Sequence, residues 1–215
     1  MKRFLGEHLE FFRQYRHRFQ TTGAVAPSSR FLARALARPL QQHAGPCRVL
    51  EVGPGTGAVT RQIARLLKPE DRFELVELNE NFVGVLKHRF DHDADFRRVA
   101  DRSQIHQCPI QEFRAEAPYQ FIVSGLPLNN FPPELVREIF GVFFQLLAPG
   151  GVLSYFEYMY MRPLRKAVSN RAGRERLGNL ETVLHEFLGR HRFRRDWVFV
   201  NIPPAWVQHL RRDAN

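Results

Sequence analysis

Val49-Leu50-Glu51-Val52-Gly53-Pro54-Gly55-Thr56-Gly57 reads as the end of a strand, a tight turn and the start of a helix. Apolar or strand-forming residues run into three glycines at alternate positions, and a helical pattern follows from about Thr56 to Leu67. This is how an α/β protein builds a nucleotide pocket. Glycine reaches dihedral angles that other residues resist and lets a ligand approach the backbone, while amides at the helix start become donors. Gly53, Gly55 and Ala58 also satisfy the relaxed dinucleotide pattern, so the turn alone does not choose a cofactor. Two carboxylates narrow the choice. Glu51 stands two residues before Gly53, and Glu77 falls twenty residues after Gly57, at the end of the strand-like run Phe73 to Leu78. A carboxylate there can accept both hydroxyls of a ribose.

With these residues the chain resembles the class I S-adenosylmethionine-dependent methyltransferases, Glu51 to Gly57 matching the first motif and Glu77 the second. The resemblance implies an α/β, Rossmann-like fold, with a seven-stranded, mostly parallel sheet whose last strand is antiparallel. It also implies S-adenosylmethionine as cofactor, held by Glu51, Gly53, Pro54, Gly55, Thr56, Gly57, Glu77 and Leu78.

The 215 residues suit one methyltransferase domain over 41–215, preceded by an N-terminal part, 1–40, of amphipathic, basic helices. Thirty-two Lys and Arg against 22 Asp and Glu leave a net charge of +10, which points to a nucleic acid or an acidic membrane surface, with plain solubility charge as the alternative. Arg far outnumbers Lys. That suits phosphate recognition, although a G+C-rich genome gives the same bias. Cys47 and Cys108 have no metal-ligand spacing, so a reducing compartment and no metal site are expected. With no apolar run of membrane-spanning length and no signal peptide, the expected location is cytoplasmic, peripheral to the inner face of the cell membrane.

Residues 3 to 20 carry Phe4, Leu5, Leu9, Phe11, Phe12, Tyr15 and Phe19 at helical spacing among arginines. Pro27-Ser28-Ser29 caps a second helix with Leu32 and Leu36 on one side and Arg30, Arg34 and Arg38 on another. Such helices can lie in a membrane interface or pack on the domain as a cover. After the glycine turn come a strand to Leu78, a helix capped by Asn79 through Phe90, a polar loop from Asp91 to Arg102, and a strand from Gln104 to Cys108. Next, Pro109-Ile110-Gln111-Glu112-Phe113 lacks the acid that many class I enzymes set against the adenine amino group. Backbone atoms at Pro109 and the Ile110 side chain are left to hold the ring.

The fourth strand, Gln120 to Ser124, leads into Ser124-Gly125-Leu126-Pro127-Leu128-Asn129, which is similar to the Asn/Asp/Ser-x-Pro segment of amine methyltransferases. A helix from Glu134 to Leu147, the turn Ala148 to Gly151, a long strand from Val152 to Met161, a helix around Leu177 to Leu188, and a terminal hairpin (Arg194 to Asn201, Trp206 to Arg212) complete the reading.

Taken with Gly23-Ala24-Val25-Ala26-Pro27-Ser28-Ser29 and Asn201-Ile202-Pro203-Pro204-Ala205-Trp206-Val207, these stretches resemble the bacterial phospholipid N-methyltransferases. That family converts phosphatidylethanolamine toward phosphatidylcholine and is related to the rRNA adenine dimethylases. The resemblance adds Ala24, Val25, Pro109, Ile110 and Ser124 to the cofactor contacts. It implies that Ser124 and Gly125 carbonyls orient the amine, that Asn129 fixes the headgroup, and that Tyr15 with Tyr155 or Tyr158 forms an aromatic wall for methylated ammonium. Implied partners are the phospholipid and an anionic membrane met by the N-terminal helix. RNA stays as the rival, but Leu128 stands where adenine methylases place an aromatic residue, and residues 165 to 215 leave little room for an RNA domain.

Overall fold

Central strands here carry apolar residues at odd and even positions alike: Val49 and Leu50, then Phe121, Ile122 and Val123, are all buried. Neither face can meet water, so helices must cover both. The computed structural model describes residues 29–159 and 171–214. The helix expected over residues 3 to 20, with Tyr15, and the segment holding Ala24 and Val25 lie outside the described residues.

Strands β1 (Arg48–Val52), β2 (Arg72–Val76), β3 (Ser103–His106), β4 (Tyr119–Ser124), β5 (Leu147–Tyr158), β6 (Arg192–Val198) and β7 (Ala205–Arg211) form one sheet in the order β3-β2-β1-β4-β5-β7-β6. β1 to β5 pair in parallel, and β7 runs antiparallel to both its neighbours. This is the expected fold. Chain order reverses between β1 and β4, which opens a crevice beyond their carboxyl ends.

One face is covered by α1 (Arg30–Leu36), α2 (Arg38–Gln41), α3 (Ala58–Leu66), α4 (Glu80–His92) and α5 (Ala94–Arg97), the other by α6 (Pro133–Leu146) and α7 (Arg171–His191). The Ser29 hydroxyl caps α1 by accepting from Leu32 N at 3.2 Å. Leu32 and Leu36 are fully buried against the sheet's first face while Arg30 and Arg34 stay exposed. Truncating either leucine to Ala would cost about 2–5 kcal/mol. α1 and α2 complete the same core as β1 and β5.

Two local expectations need correction. Residues 91 to 102 are not one loop: Asp93 caps the short α5 through Asp95 N at 3.2 Å, and a 3₁₀ turn spans Ala100–Arg102. With only Phe96 and Val99 buried, the apolar signal was too sparse to show it. Residues 148 to 151 extend β5 instead of closing α6, because Gly150 N donates to Arg212 O at 3.1 Å and Arg212 N to Gly151 O at 2.9 Å.

A buried polar chain ties the terminal hairpin to this core. His209, fully buried on β7, lies 2.8 Å from Ser154 Oγ on β5 through Nδ1 and 3.2 Å from Asp196 Oδ2 on β6 through Nε2. A carboxylate only accepts, so the neutral ring donates from Nε2 and accepts the Ser154 hydroxyl at Nδ1. Arg38 reaches the same carboxylate at 3.4 Å from α2, and Arg194 at 2.9 Å from its own strand. Burial lowers the His209 pKa more than Asp196 raises it. As pH falls, the unfolded imidazole therefore takes up its proton first, near the ordinary value of 6.5. This part of the stability is complete above that value and is lost below it. Thermal unfolding between about pH 7.5 and 5 should show a falling midpoint, and His209→Gln should flatten that fall.

Candidate active site

Three segments that end parallel strands meet at the crevice. The turn after β1 is pinned on both sides: Gly53 N donates to Val76 O of β2 at 2.9 Å, and Gly125 N, just after β4, donates to Val52 O at 2.8 Å. The two glycines then touch. A Cβ on Gly125 would fall 2.5 Å from Gly53 O, and one on Gly53 would fall 2.6 Å from the Leu126 side chain. Gly53, Gly55 and Gly57 all have positive φ, of 72°, 59° and 83°. Gly57 closes against Phe96 and Leu86, whereas a Cβ on Gly55 would meet nothing within 4 Å. At Gly55, then, the backbone itself is open to a ligand. Pro54 is buried beneath it, with its carbonyl accepting from Gly57 N at 2.9 Å, and Thr56 is half-buried at the turn's outer edge.

Glu77 is buried beside this turn, and its carboxylate is aimed by backbone donors: Oε2 accepts from Gly55 N at 3.1 Å and Oε1 from Asn79 N at 2.8 Å. Glu51, also buried, differs. Neither of its oxygens has a hydrogen-bond partner of ordinary geometry among the described residues. Burial pushes its pKa up to about 8, with Thr60 on α3 pulling it down and the Glu77 charge adding to the rise.

A shallow cleft, partly open to solvent, connects Gly53, Glu77 and Leu78 to Pro109, Ile110 and Gln111 after β3, and to Leu126 after β4. The carbonyls of Pro109 and Ile110 are engaged in a turn, accepting from Glu112 N and Phe113 N. Gln111 is the residue sequence reasoning missed. Its Oε1 is buried without a hydrogen-bond partner in the cleft wall, and an amide oxygen accepts an amino hydrogen as a carboxylate does. The sequence carries the signal, an amide acceptor two residues after Pro109, but it bears no charge.

Past β4, the Ser124 hydroxyl accepts from Leu126 N at 3.3 Å and fixes the bend. A 3₁₀ turn, Leu128–Asn130, follows, with Asn129 half-buried and Leu128 fully buried in the core. The two tyrosines of β5 do not share a wall. Residues 153, 155 and 157 face α6 and α7, while 152, 154, 156 and 158 face α1 and α3. Tyr155 is fully buried, stacked edge-on against Phe140 at 5.3 Å, with its hydroxyl donating to Glu157 at 2.8 Å. It presents no face to a headgroup. Tyr158, half-buried beside Phe156 at the strand's carboxyl end, sits on the opposite side.

A family model described as a methyltransferase domain matches residues 49–151. The ornithine lipid N-methyltransferase of Singulisphaera acidiphila is 35% identical over 147 residues, which is 66% of this chain and 75% of that protein. The chain belongs to the class I S-adenosylmethionine-dependent methyltransferases, in the family of that enzyme. The ribosomal RNA small subunit methyltransferase A of Hydrogenovibrio crunogenus is 23% identical over 154 residues, covering 71% of this chain but only 52% of that protein. The O-methyltransferase TomG of Streptomyces achromogenes, solved with S-adenosylmethionine, has a TM-score of 0.62 at 18% identity, over 95% of this chain and 89% of that one. Likeness at that identity is a matter of fold.

The methyltransferase therefore uses S-adenosylmethionine, and the residues present fit it: an open glycine at the turn, a buried carboxylate aimed by two amides, and orphaned oxygens on Glu51 and Gln111. When bound, the cofactor supplies a methyl group activated by a positive sulfur. A cationic ligand beside Glu51 favours its ionised form, so binding at neutral pH should expel a proton. Calorimetry in buffers of different ionisation enthalpy should detect release approaching one proton per chain at about pH 7. Affinity should rise with pH up to about 8, and Glu51→Gln should abolish both effects. Gln111→Leu should weaken cofactor binding about tenfold, with Gln111→Glu retaining most of the affinity.

Proposed function

We propose that this methyltransferase transfers methyl groups to the amine of a membrane lipid, with phosphatidylethanolamine and its mono- and dimethyl forms as acceptors on the way to phosphatidylcholine. The observation that carries this reading is the 35% identity to an ornithine lipid N-methyltransferase over three-quarters of that protein's length. The segment after β4 supports it. RNA adenine transfer needs an aromatic platform for the base, and Leu128 is buried in the core, where it can offer none.

An ethanolamine headgroup arrives as an ammonium with a pKa of roughly 10 and must lose a proton before its nitrogen can attack. Desolvation in the cleft and the like charge of the activated sulfur both lower that pKa, so no strong base is required. The carbonyls of Ser124 and Gly125 accept N–H hydrogens and point the nitrogen lone pair toward the cofactor side of the cleft. Asn129 holds the phosphate end. Glu77 takes the ribose hydroxyls, Gln111 accepts from the adenine amino group, and Ile110 packs on the ring. As methyls accumulate, the nitrogen loses hydrogen-bond donors, and cation–π contact with Tyr158 and Tyr15 replaces them, each good contact contributing roughly 0.5–2 kcal/mol. Catalysis is chiefly alignment and exclusion of water. The basic N-terminal residues would bring the chain to an anionic membrane as a peripheral protein. Among the described residues no helix is long and apolar enough to cross one.

Mass spectrometry of lipids from a bacterial host that makes no methylated lipid tests this directly. Expression of the chain should add one to three methyls to phosphatidylethanolamine. Gly55→Asp, which forces a side chain onto a backbone with φ of 59° in the ligand's approach, should add none. Methyls on ornithine lipid alone would move the acceptor. An unchanged profile from soluble, cofactor-binding protein would overturn the lipid reading.

A further inference from the structure

The loop joining β6 to β7 contradicts what a solvent-exposed turn ordinarily contains. From Trp197 to Pro204 the sequence is Trp-Val-Phe-Val-Asn-Ile-Pro-Pro, without a single charge. Four of these side chains stand out from the protein: Trp197 is 54% exposed, Phe199 64%, Val200 62% and Ile202 82%. Trp197 and Phe199 stack on each other at 5.6 Å, making one apolar surface. Single exposed apolar residues need no explanation, but a contiguous, charge-free group at the tip of a hairpin marks an interaction surface.

Its position and its surroundings identify the partner. Ala205 pairs with Tyr158, and Met159 N donates to Pro204 O at 2.8 Å, so the tip lies at the carboxyl end of β5, on the rim that carries the active site. β7 is two strands from β4. At about 4.8 Å per strand, the tip stands roughly 10–15 Å along the rim from the Ser124 to Asn129 segment. Basic groups flank it. Asn201 in the loop accepts from Ser29 N at 3.2 Å, which brings the start of α1, with exposed Arg30 and Arg34, against the tip; Arg195 on β6 is exposed as well. Apolar and indole side chains at a tip with guanidinium groups behind it match the layering of a bilayer surface, acyl chains below and phosphates above.

We infer that the β6–β7 hairpin is a membrane wedge: Trp197, Phe199, Val200 and Ile202 enter the interfacial layer of an anionic bilayer, while Arg30, Arg34 and Arg195 meet its phosphates. The inference rests on the lipid reading above and deepens it. It places the mouth of the cleft at the membrane surface, so that a lipid amine need rise only the depth of a headgroup to reach the carbonyls after β4.

The chain has two tryptophans, Trp197 and Trp206, both in this hairpin, so intrinsic fluorescence reports on it alone. In a Trp206→Phe background, Trp197 emission should shift to the blue on vesicles of phosphatidylethanolamine and phosphatidylglycerol and be quenched when the lipids carry bromine on their acyl chains. The double substitution Phe199→Asp/Ile202→Asp should lower vesicle binding in flotation by at least about tenfold. Unchanged affinity for S-adenosylmethionine would show that this variant is folded. Vesicle-bound protein with unquenched Trp197, no vesicle binding at all, or a dimer in lipid-free solution that the double substitution dissolves would each overturn the wedge. Methyl transfer is read on the same vesicles by mass spectrometry: transfer without quenching removes the wedge and leaves the lipid reading, and quenching without transfer does the reverse.

Discussion

Backbone contact between Gly53 and Gly125 is the constraint on which the site depends. Two parallel strands, β1 and β4, diverge into their following segments at the point where strand order reverses, and the segments must pass each other without a side chain between them. A Cβ at Gly125 would lie 2.5 Å from the Gly53 carbonyl, closer than nonbonded atoms tolerate. Because both glycines are bare, the glycine turn after β1 and the bend proposed to receive the acceptor share a wall one backbone thick. Methyl transfer needs its two partners in line and in contact, and this proximity comes from main chain, which is stiffer than any side-chain arrangement.

Around that contact the fold holds polar groups that differ in how well they are satisfied. Glu77 has its oxygens fixed by the amides of Gly55 and Asn79, whereas among the described residues Glu51 is buried with Thr60 nearby but no hydrogen bond of ordinary geometry, and Gln111 has none at its amide oxygen. A protein built only for stability would have matched these groups or replaced them with apolar ones. The trio of buried Ser154 and His209 with half-buried Asp196 is a useful contrast. Its members have the types and the order of a hydrolase relay, yet each spends its hydrogen-bonding capacity on its neighbours.

The sheet was legible because its signals are local and strong: three glycines after an apolar run, an asparagine cap at 79, and strands with no polar face. Even β7's direction followed from the short link after Asn201. The cofactor turn was legible for the same reason, since positive φ leaves glycine as its trace. Harder to read were features set by tertiary contact. The Phe96 helix had one aromatic to announce it. The two β5 tyrosines read as one cluster, although strand alternation sends residues 155 and 158 to opposite faces. Gln111 is inconspicuous in the sequence because it carries no charge, and only the fold buries its acceptor oxygen in the cleft wall.

The hydrogen bond from Ser29 N to Asn201 fixes more than the start of α1. It joins the first residue before the helix to a hairpin 172 positions further along the sequence, so helix and hairpin form one edge of the molecule. Asn201 also donates to Pro203 O at 2.7 Å, so a single amide side chain holds both the helix start and the bend of the hairpin. Loss of that side chain would loosen two distant stretches of sequence together.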